Sequence, residues 1–192
     1  MGIDLGLMNR ITLSDGTMYG HERYEGLYED RKIQRKVSEL EPGTARYEKL
    51  ARRLGNRHRR IVNLRTNELR HVAKEIVEGH GMVAMEDVDV RKLIRKQRGK
   101  GIHRSQASAS WGIFKRIVHS AAEAASTVIV EVDPCGTSQI CSGCGQLVAK
   151  DLSVRVHDCP HCGLVLDRDV NASLNILAAG RAALASSHRL RG

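Results

Sequence analysis

Residues 135–176 read CGTSQICSGCGQLVAKDLSVRVHDCPHCGLVLDRDVNASLNI. Two C-x-x-C knuckles, Cys141/Cys144 and Cys159/Cys162, stand in it with fourteen residues between them. Each knuckle puts two thiolates on one tight turn. Two such turns supply the four soft ligands of a tetrahedral Zn²⁺ site, closed to substrate and therefore structural. Gly145 and Gly163 follow each second cysteine, where a turn around a metal needs backbone freedom. A disulfide pair is the competing use of such thiols, and the doubled spacing favours zinc. Cys135 lies outside the pattern and reads as a spare thiol. Beyond the second knuckle, Leu164-Val165-Leu166 predicts a short strand, and Asp167-Arg168-Asp169 opens a helix over about residues 170–185. An acid at a helix start is ordinarily an N-cap. It becomes more than that only if other acids join it.

The composition points to a polyanionic partner. Lysine and arginine outnumber aspartate and glutamate by 31 to 22, giving a formal charge of +9 and a pI near 9.6. Nucleic acid is the first candidate and an anionic membrane surface the second. No apolar run approaches the roughly 20 residues of a membrane span, and no signal peptide precedes Asp4. With four of five cysteines assigned to zinc, a reducing cytoplasmic setting is expected. Aromatic residues make up only 3%, which argues against a single-strand binder built on stacked rings and favours mainly electrostatic contact.

Upstream, Gly2-Ile3-Asp4-Leu5-Gly6-Leu7 alternates with period two. Ile3, Leu5 and Leu7 share one face and Asp4 stands between two glycines on the other, which predicts an acid in mid-strand. A metal ion or a phosphate backbone could approach it there. Residues 11–14 and 17–19 predict two further strands joined by the turn Asp15-Gly16. From Tyr28 the period becomes helical. One helix is expected over 30–40, and a longer one follows Thr44 as N-cap, with an apolar stripe of Tyr47, Leu50, Leu54, Ile61, Leu64, Val72 and Ile76. Its other face carries Arg46, Lys49, Arg52, Arg53, Arg57, Arg59 and Arg60. Such a run is usually a solvated face, but acidic partners at four-residue spacing are scarce here, and Arg52, Arg53, Arg59 and Arg60 are candidates for phosphate contact.

Met82-Val83-Ala84-Met85-Glu86 predicts a buried strand ending in an acid. Pattern alone does not choose among Glu86, Asp87 and Asp89, although Glu86 is the last strand residue and shares a face with Met82 and Ala84. Arg91, Lys92, Arg95, Lys96, Arg98, Lys100 and Arg104 then follow without an acid between them, as expected of a loop that orders on a phosphate backbone. Trp111, Phe114, Val118, Ala121 and Ala125 make a helical core stripe. Residues 127–132 form a β-branched run, read as a central buried strand.

Asp4 thus lies on the first strand, Glu86 at the end of the fourth and Asp169 at the start of the last helix, in distant parts of the chain. Gathered on one sheet edge, three ionised acids would repel one another and raise each other's pKa. Two divalent cations would relieve that repulsion, in the arrangement used for phosphodiester hydrolysis. Oxygen ligands favour Mg²⁺ or Mn²⁺ there over zinc.

Together, GIDLG at the start, MEDV in the middle and TSQICSGCG, CPHCG and DRDVNASLNI at the end resemble the catalytic half of the TnpB family. These are transposon-encoded, RNA-guided DNA endonucleases related to type V CRISPR effectors. The resemblance runs over essentially the whole chain. It implies an α/β fold of RNase H-like, RuvC type: a mixed sheet flanked by helices, with an inserted zinc ribbon. The expected divisions are a nuclease core over 1–134, the ribbon over 135–166, a final core helix over 167–185 and a basic, frayed tail over 186–192. It also implies that Asp4, Glu86 and Asp169 are the catalytic acids, Asp169 being preferred to Asp167 because relatives keep an acid two residues before the asparagine matching Asn171. The expected partner is DNA. Guide RNA belongs, by the same resemblance, with a long N-terminal half that this chain lacks, since it opens on the first catalytic motif. Two other readings compete. One is a nucleic-acid-binding module that keeps fold and zinc without activity; the other is a histidine–metal nuclease using His157 and His161.

Overall fold

A computed structural model of the chain describes residues 1–6, 8–20, 27–87, 110–151 and 153–189. The basic run from Arg91 to Arg104 and Asp89 therefore lie outside the described residues. By compactness the chain divides into two units: residues 22–71 form one, and residues 1–21 with 72–192 form the other.

The larger unit is built on a mixed five-stranded sheet. Strands β1 (Gly2–Asp4), β2 (Ile11–Leu13) and β3 (Met18–Tyr19) pair in succession, each antiparallel to the one before, with β2 and β3 joined by the predicted Asp15-Gly16 turn. The Leu13 amide donates to the Thr17 carbonyl at 2.8 Å and closes that hairpin. Strands β4 (Met82–Glu86) and β5 (Val128–Val132) lie parallel to β1, and the order across the sheet is β3-β2-β1-β4-β5. Two expectations are corrected here. Strand β1 stops at Asp4, which is a strand end and not a mid-strand residue. Strand β5 is an edge strand with Val128 exposed, not a central one. A β-branched run satisfies either position, because strand order is not written in local pattern.

Helix α3 (Trp111–Ala125) lies on one face of the sheet, where its Lys115 and His119 meet Glu131 of β5 at 3.1 and 2.9 Å. Its buried residues are Trp111, Phe114, Val118 and Ala122. The expected stripe slips at its end, since Ala121 is only half-buried and Ala125 is exposed. Among alanines, one step of phase leaves no sign in composition.

The opposite face belongs to helix α4 (Arg168–Arg189), whose Ile176 packs on Ala84 and Val132. Two glycines allow it to lie this close. A Cβ at Gly2 would stand 2.1 Å from the Ser173 carbonyl oxygen, and one at Gly180 would stand 2.5 Å from the Ala84 Cβ. The helix is longer than the 170–185 expected, and the tail residues up to Arg189 are helical instead of frayed. A two-stranded antiparallel ribbon, β6 (Val156–Asp158) with β7 (Val165–Asp167), carries the chain into α4. Leu164 falls outside the strand.

Helices α1 (Leu27–Ser38) and α2 (Ala45–Glu78) are as the periodicity suggests, α1 starting and ending earlier than expected. The Thr44 hydroxyl accepts from the Tyr47 amide at 3.3 Å, the N-cap expected of it. The unit boundary falls inside α2. Burial concentrates in its last turns, at Leu69, Val72, Ala73, Ile76 and Val77, whereas Leu64 of the expected stripe is 50% exposed. Arg57 is also corrected: it pairs with the buried Asp30 of α1 instead of lying on the free basic face.

Candidate functional site

Three acids meet at one end of the sheet because strand register and helix packing leave them nowhere else. β1 and β4 run parallel with Gly2 opposite Ala84 and Ile3 opposite Met85. One step further along that register sets Asp4 beside Glu86. Side chains alternate along a strand, so Asp4 shares the face of Gly2, and Glu86 the face of Ala84. Both of those residues pack against α4. The two carboxylates therefore project from the sheet end toward the start of α4, where Asp169 lies in the first turn, 6% exposed. An ideal Cβ on Gly6, two residues past Asp4, would stand 3.5 Å from Asp169 Oδ2. By sequence alone, the glycines beside Asp4 leave room for a metal or a phosphate. Gly2 serves instead to admit α4.

The electrostatics follow from the crowding. Burial, then the charges of Glu86 and Asp169, push the Asp4 carboxyl from 3.8 up to about 8. Burial also raises Glu86, opposed by a hydrogen bond from Thr137. Asp169 is raised by burial and by the neighbouring Asp167, with Arg155 at 3.8 Å opposing. The charges of both other acids fall on Asp4. The acids do not close into a single three-ligand cluster: among the described residues, the four cysteines alone do so. Three neighbouring carboxyls, each raised by burial, nonetheless have the chemistry of a site that a divalent cation would stabilise.

Asp167 does different work. Its Oδ1 accepts from the Asp169 amide at 2.7 Å and from the Val170 amide at 3.3 Å, which caps α4. Asp87, the neighbouring acid considered beside Glu86, is exposed and lies 3.7 Å from Lys115.

The four cysteines form a matched pair of turns. In each, the glycine after the second cysteine donates its amide to the carbonyl of the first, Gly145 to Cys141 at 2.8 Å and Gly163 to Cys159 at 2.9 Å. Both glycines have positive φ, 76° and 73°, as their spacing predicts. All four Sγ atoms lie within 4.8 Å of one another, with Cys141–Cys162 and Cys144–Cys159 each at 3.7 Å. A tetrahedron of thiolates about 2.3 Å from zinc has edges of about 3.7 Å, so these residues fit and could hold a zinc ion. Cys135 is exposed and outside the group. His157 is buried in β6 with its Nδ1 against Lys150, and His161 is exposed, so the two histidines do not share a site.

Sequence reasoning missed the residues that fasten this module to the sheet. Asn171 and Asn175 are one turn apart on α4. Asn171 donates to the Ile140 carbonyl at 2.8 Å and accepts from the Ser142 amide at 2.9 Å. Asn175 donates to the carbonyls of Thr137 and Ile140 at 2.8 and 2.7 Å. The Thr137 hydroxyl then donates to Glu86 Oε1 at 2.6 Å. The available signal was an i, i+4 pair of amides on an otherwise apolar helix face. Thr12, directly opposite Asp4 and fully buried, was missed as well.

Arg52, Arg53, Arg59 and Arg60 are all exposed on α2. The described helices include none long and apolar enough to cross a membrane.

Residues 1–97 match the family described as "Probable transposase" (OrfB of IS605), and residues 111–176 match the "Cas12f1-like, TNB domain" family. The chain is 34% identical over its whole length to a "Putative RNA-guided DNA endonuclease" of Streptomyces pristinaespiralis, covering 48% of that protein. It is 29% identical over 96% of its length to the "Putative RNA-guided DNA endonuclease InsQ" of Escherichia coli K12, covering 50%. The chain thus spans about half the length of these relatives. Among solved structures, it resembles a chain of the "Cas12f1-sgRNA-target DNA complex" with a TM-score of 0.57 and 19% identity, over 91% of this chain and 48% of that one. It also resembles a chain of the "CRISPR-Cas12f Ternary Complex" with a TM-score of 0.64 and 18% identity, over 91% and 37%.

Proposed function

Because the chain belongs to the TnpB/IS605 transposase family, we propose that it is the RuvC-like, RNase H-type nuclease region of an RNA-guided DNA endonuclease, and that it hydrolyses DNA phosphodiester bonds. The observation that carries this reading is the meeting of Asp4, Glu86 and Asp169 at one sheet end, from the first strand, the fourth strand and the last helix. The mixed sheet with order β3-β2-β1-β4-β5 and the likeness to the two Cas12f chains support the RNase H-like assignment.

In this reading Asp4, Glu86 and Asp169 hold Mg²⁺ or Mn²⁺. Bound there, two such ions supply activation of the attacking water and stabilisation of the leaving oxygen. The chain's own part is to keep three acids within reach of one another, at the cost of raising the Asp4 carboxyl to about 8. Residues 135–166 form a zinc ribbon, with Cys141, Cys144, Cys159 and Cys162 as its ligands; the zinc itself touches no reacting atom. Arg52, Arg53, Arg59 and Arg60, with the basic run Arg91, Lys92, Arg95, Lys96, Arg98, Lys100 and Arg104, neutralise phosphates. DNA is the substrate. Guide RNA is a partner of the longer protein, as the names of the relatives indicate for them.

Cleavage of single-stranded DNA by the purified chain with Mg²⁺, with and without RNA, tests this reading. Asp4→Ala, Glu86→Ala and Asp169→Ala should each abolish cleavage, with double variants hardly worse than single ones, because the three act as a unit. Equal inertness of the unmutated chain and the variants, with cation and RNA present, would favour the binding module without activity.

A further inference from the structure

The Glu86 main chain is pinned on two sides. Lys115 donates to its carbonyl at 3.3 Å, and the next amide, that of Asp87, donates to Val132 at 2.7 Å. Neither contact fixes the carboxylate. Among the described residues, its hydrogen-bond partner is the Thr137 hydroxyl at 2.6 Å. That bond occupies Oε1 and leaves Oε2 for another ligand.

Thr137 is not on the sheet. It sits in a helical turn in which the Gln139 and Ile140 amides both donate to the Gly136 carbonyl at 2.9 Å, just before the first knuckle at Cys141. α4 grips this turn through Asn175, on the carbonyls of Thr137 and Ile140, and through Asn171, on the Ile140 carbonyl and the Ser142 amide. Asn171 and Asn175 follow Asp169 on the same helix. One helix therefore carries one acid directly and sets a second through the turn it holds. The knuckle fixes the other end of that turn.

We propose that Thr137 is a positioning residue for Glu86, and that the four-cysteine module acts through it to set the cation affinity of the acid group. A threonine in the turn just before the first zinc knuckle then links a structural metal site to a catalytic one, as groups behind metal ligands commonly orient them. The proposal rests on the reading of Asp4, Glu86 and Asp169 as cation ligands, and its test separates the two.

The measurement is Mn²⁺ binding to the zinc-loaded chain, followed by loss of the free-ion paramagnetic resonance signal, with zinc content determined for every variant. Glu86→Gln should weaken Mn²⁺ binding strongly. Thr137→Val, which keeps shape and removes the hydroxyl, should weaken it roughly 10-fold with zinc retained. Thr137→Ser should restore the unmutated affinity. Asn175→Ala, which touches no acid, should produce a smaller loss in the same direction. If the unmutated chain binds no Mn²⁺, or Glu86→Gln changes nothing, the cation-site reading fails and the proposal with it. If Glu86→Gln weakens binding and Thr137→Val does not, the proposal alone is overturned. Should Thr137→Val lose its zinc, the decision passes to Asn175→Ala, for which unchanged Mn²⁺ affinity with zinc retained overturns the proposal.

Discussion

Asp167 and Asp169 are two residues apart and opposite in effect. Asp167 caps α4 through two amides, so Asp167→Ala should cost about 0.5–2 kcal/mol of stability. Asp169 is buried beside other acids, so Asp169→Ala should leave the cation-free fold as stable or more so. Urea denaturation of the two variants without divalent cation checks this, and equal losses would refute it. Asp4 adds a pH dependence. Its carboxyl is raised from 3.8 to about 8, so the folded chain holds that proton more tightly than the unfolded one. Stability of the cation-free fold must then fall as pH rises from about 4 through about 8. The thermal midpoint should be lower at pH 8 than at pH 6, the gap should narrow in Asp4→Asn, and Mg²⁺ should restore the midpoint at pH 8. The knuckles, Glu86 at its strand end and Asp169 at its helix start are legible residue by residue, because spacing and charge in an apolar run are local signals; where β1 stops is not, so Asp4 reads as mid-strand. Asn171, Asn175 and Thr137 are not, because a polar side chain on a helix or turn has many uses and the partner that selects one lies far along the chain.

At the scale of elements, the sequence yields periods and their boundaries but not neighbours. β4 and the opening hairpin are legible, since alternation and an Asp-Gly turn define them without reference to anything else. The composition of β5 suits burial and so suggests a central strand, whereas its edge position depends on what pairs beside it. The same blindness hides the close approach of α4 to the sheet, which shows only as a missing side chain at Gly2 and Gly180. Gly180→Ala would force its Cβ to within 2.5 Å of Ala84 unless the helix moves. The expected cost is roughly 1–3 kcal/mol. Ala84→Gly in the same chain should recover part of that loss by vacating the space. A purely additive double variant, measured by chemical denaturation, would show that the two positions do not meet.

For the whole molecule, a charge of +9 with few aromatic residues sets what the proposed binding of nucleic acid should look like. Affinity for DNA should fall steeply with salt, because each neutralised phosphate releases counterions. Replacing Arg52, Arg53, Arg59 and Arg60 together with alanine should flatten the dependence of log affinity on log salt by roughly 0.7–0.9 for each phosphate no longer neutralised. An unchanged slope in a filter-binding titration would remove α2 from the interface.

The placement of α4 also governs when the acid group can exist during synthesis. Strand β1, which carries Asp4, is made well before the helix that covers its face, Arg168–Arg189. Until that helix has left the ribosome, Gly2 and Ala84 offer an uncovered surface, and Asp4 and Glu86 have neither Asp169 nor the turn held by Asn171 and Asn175. Partners this distant along the chain come together late. A growing polypeptide of this protein is thus unable to assemble its acid group until translation has passed α4, and whatever chemistry that group performs is withheld until then.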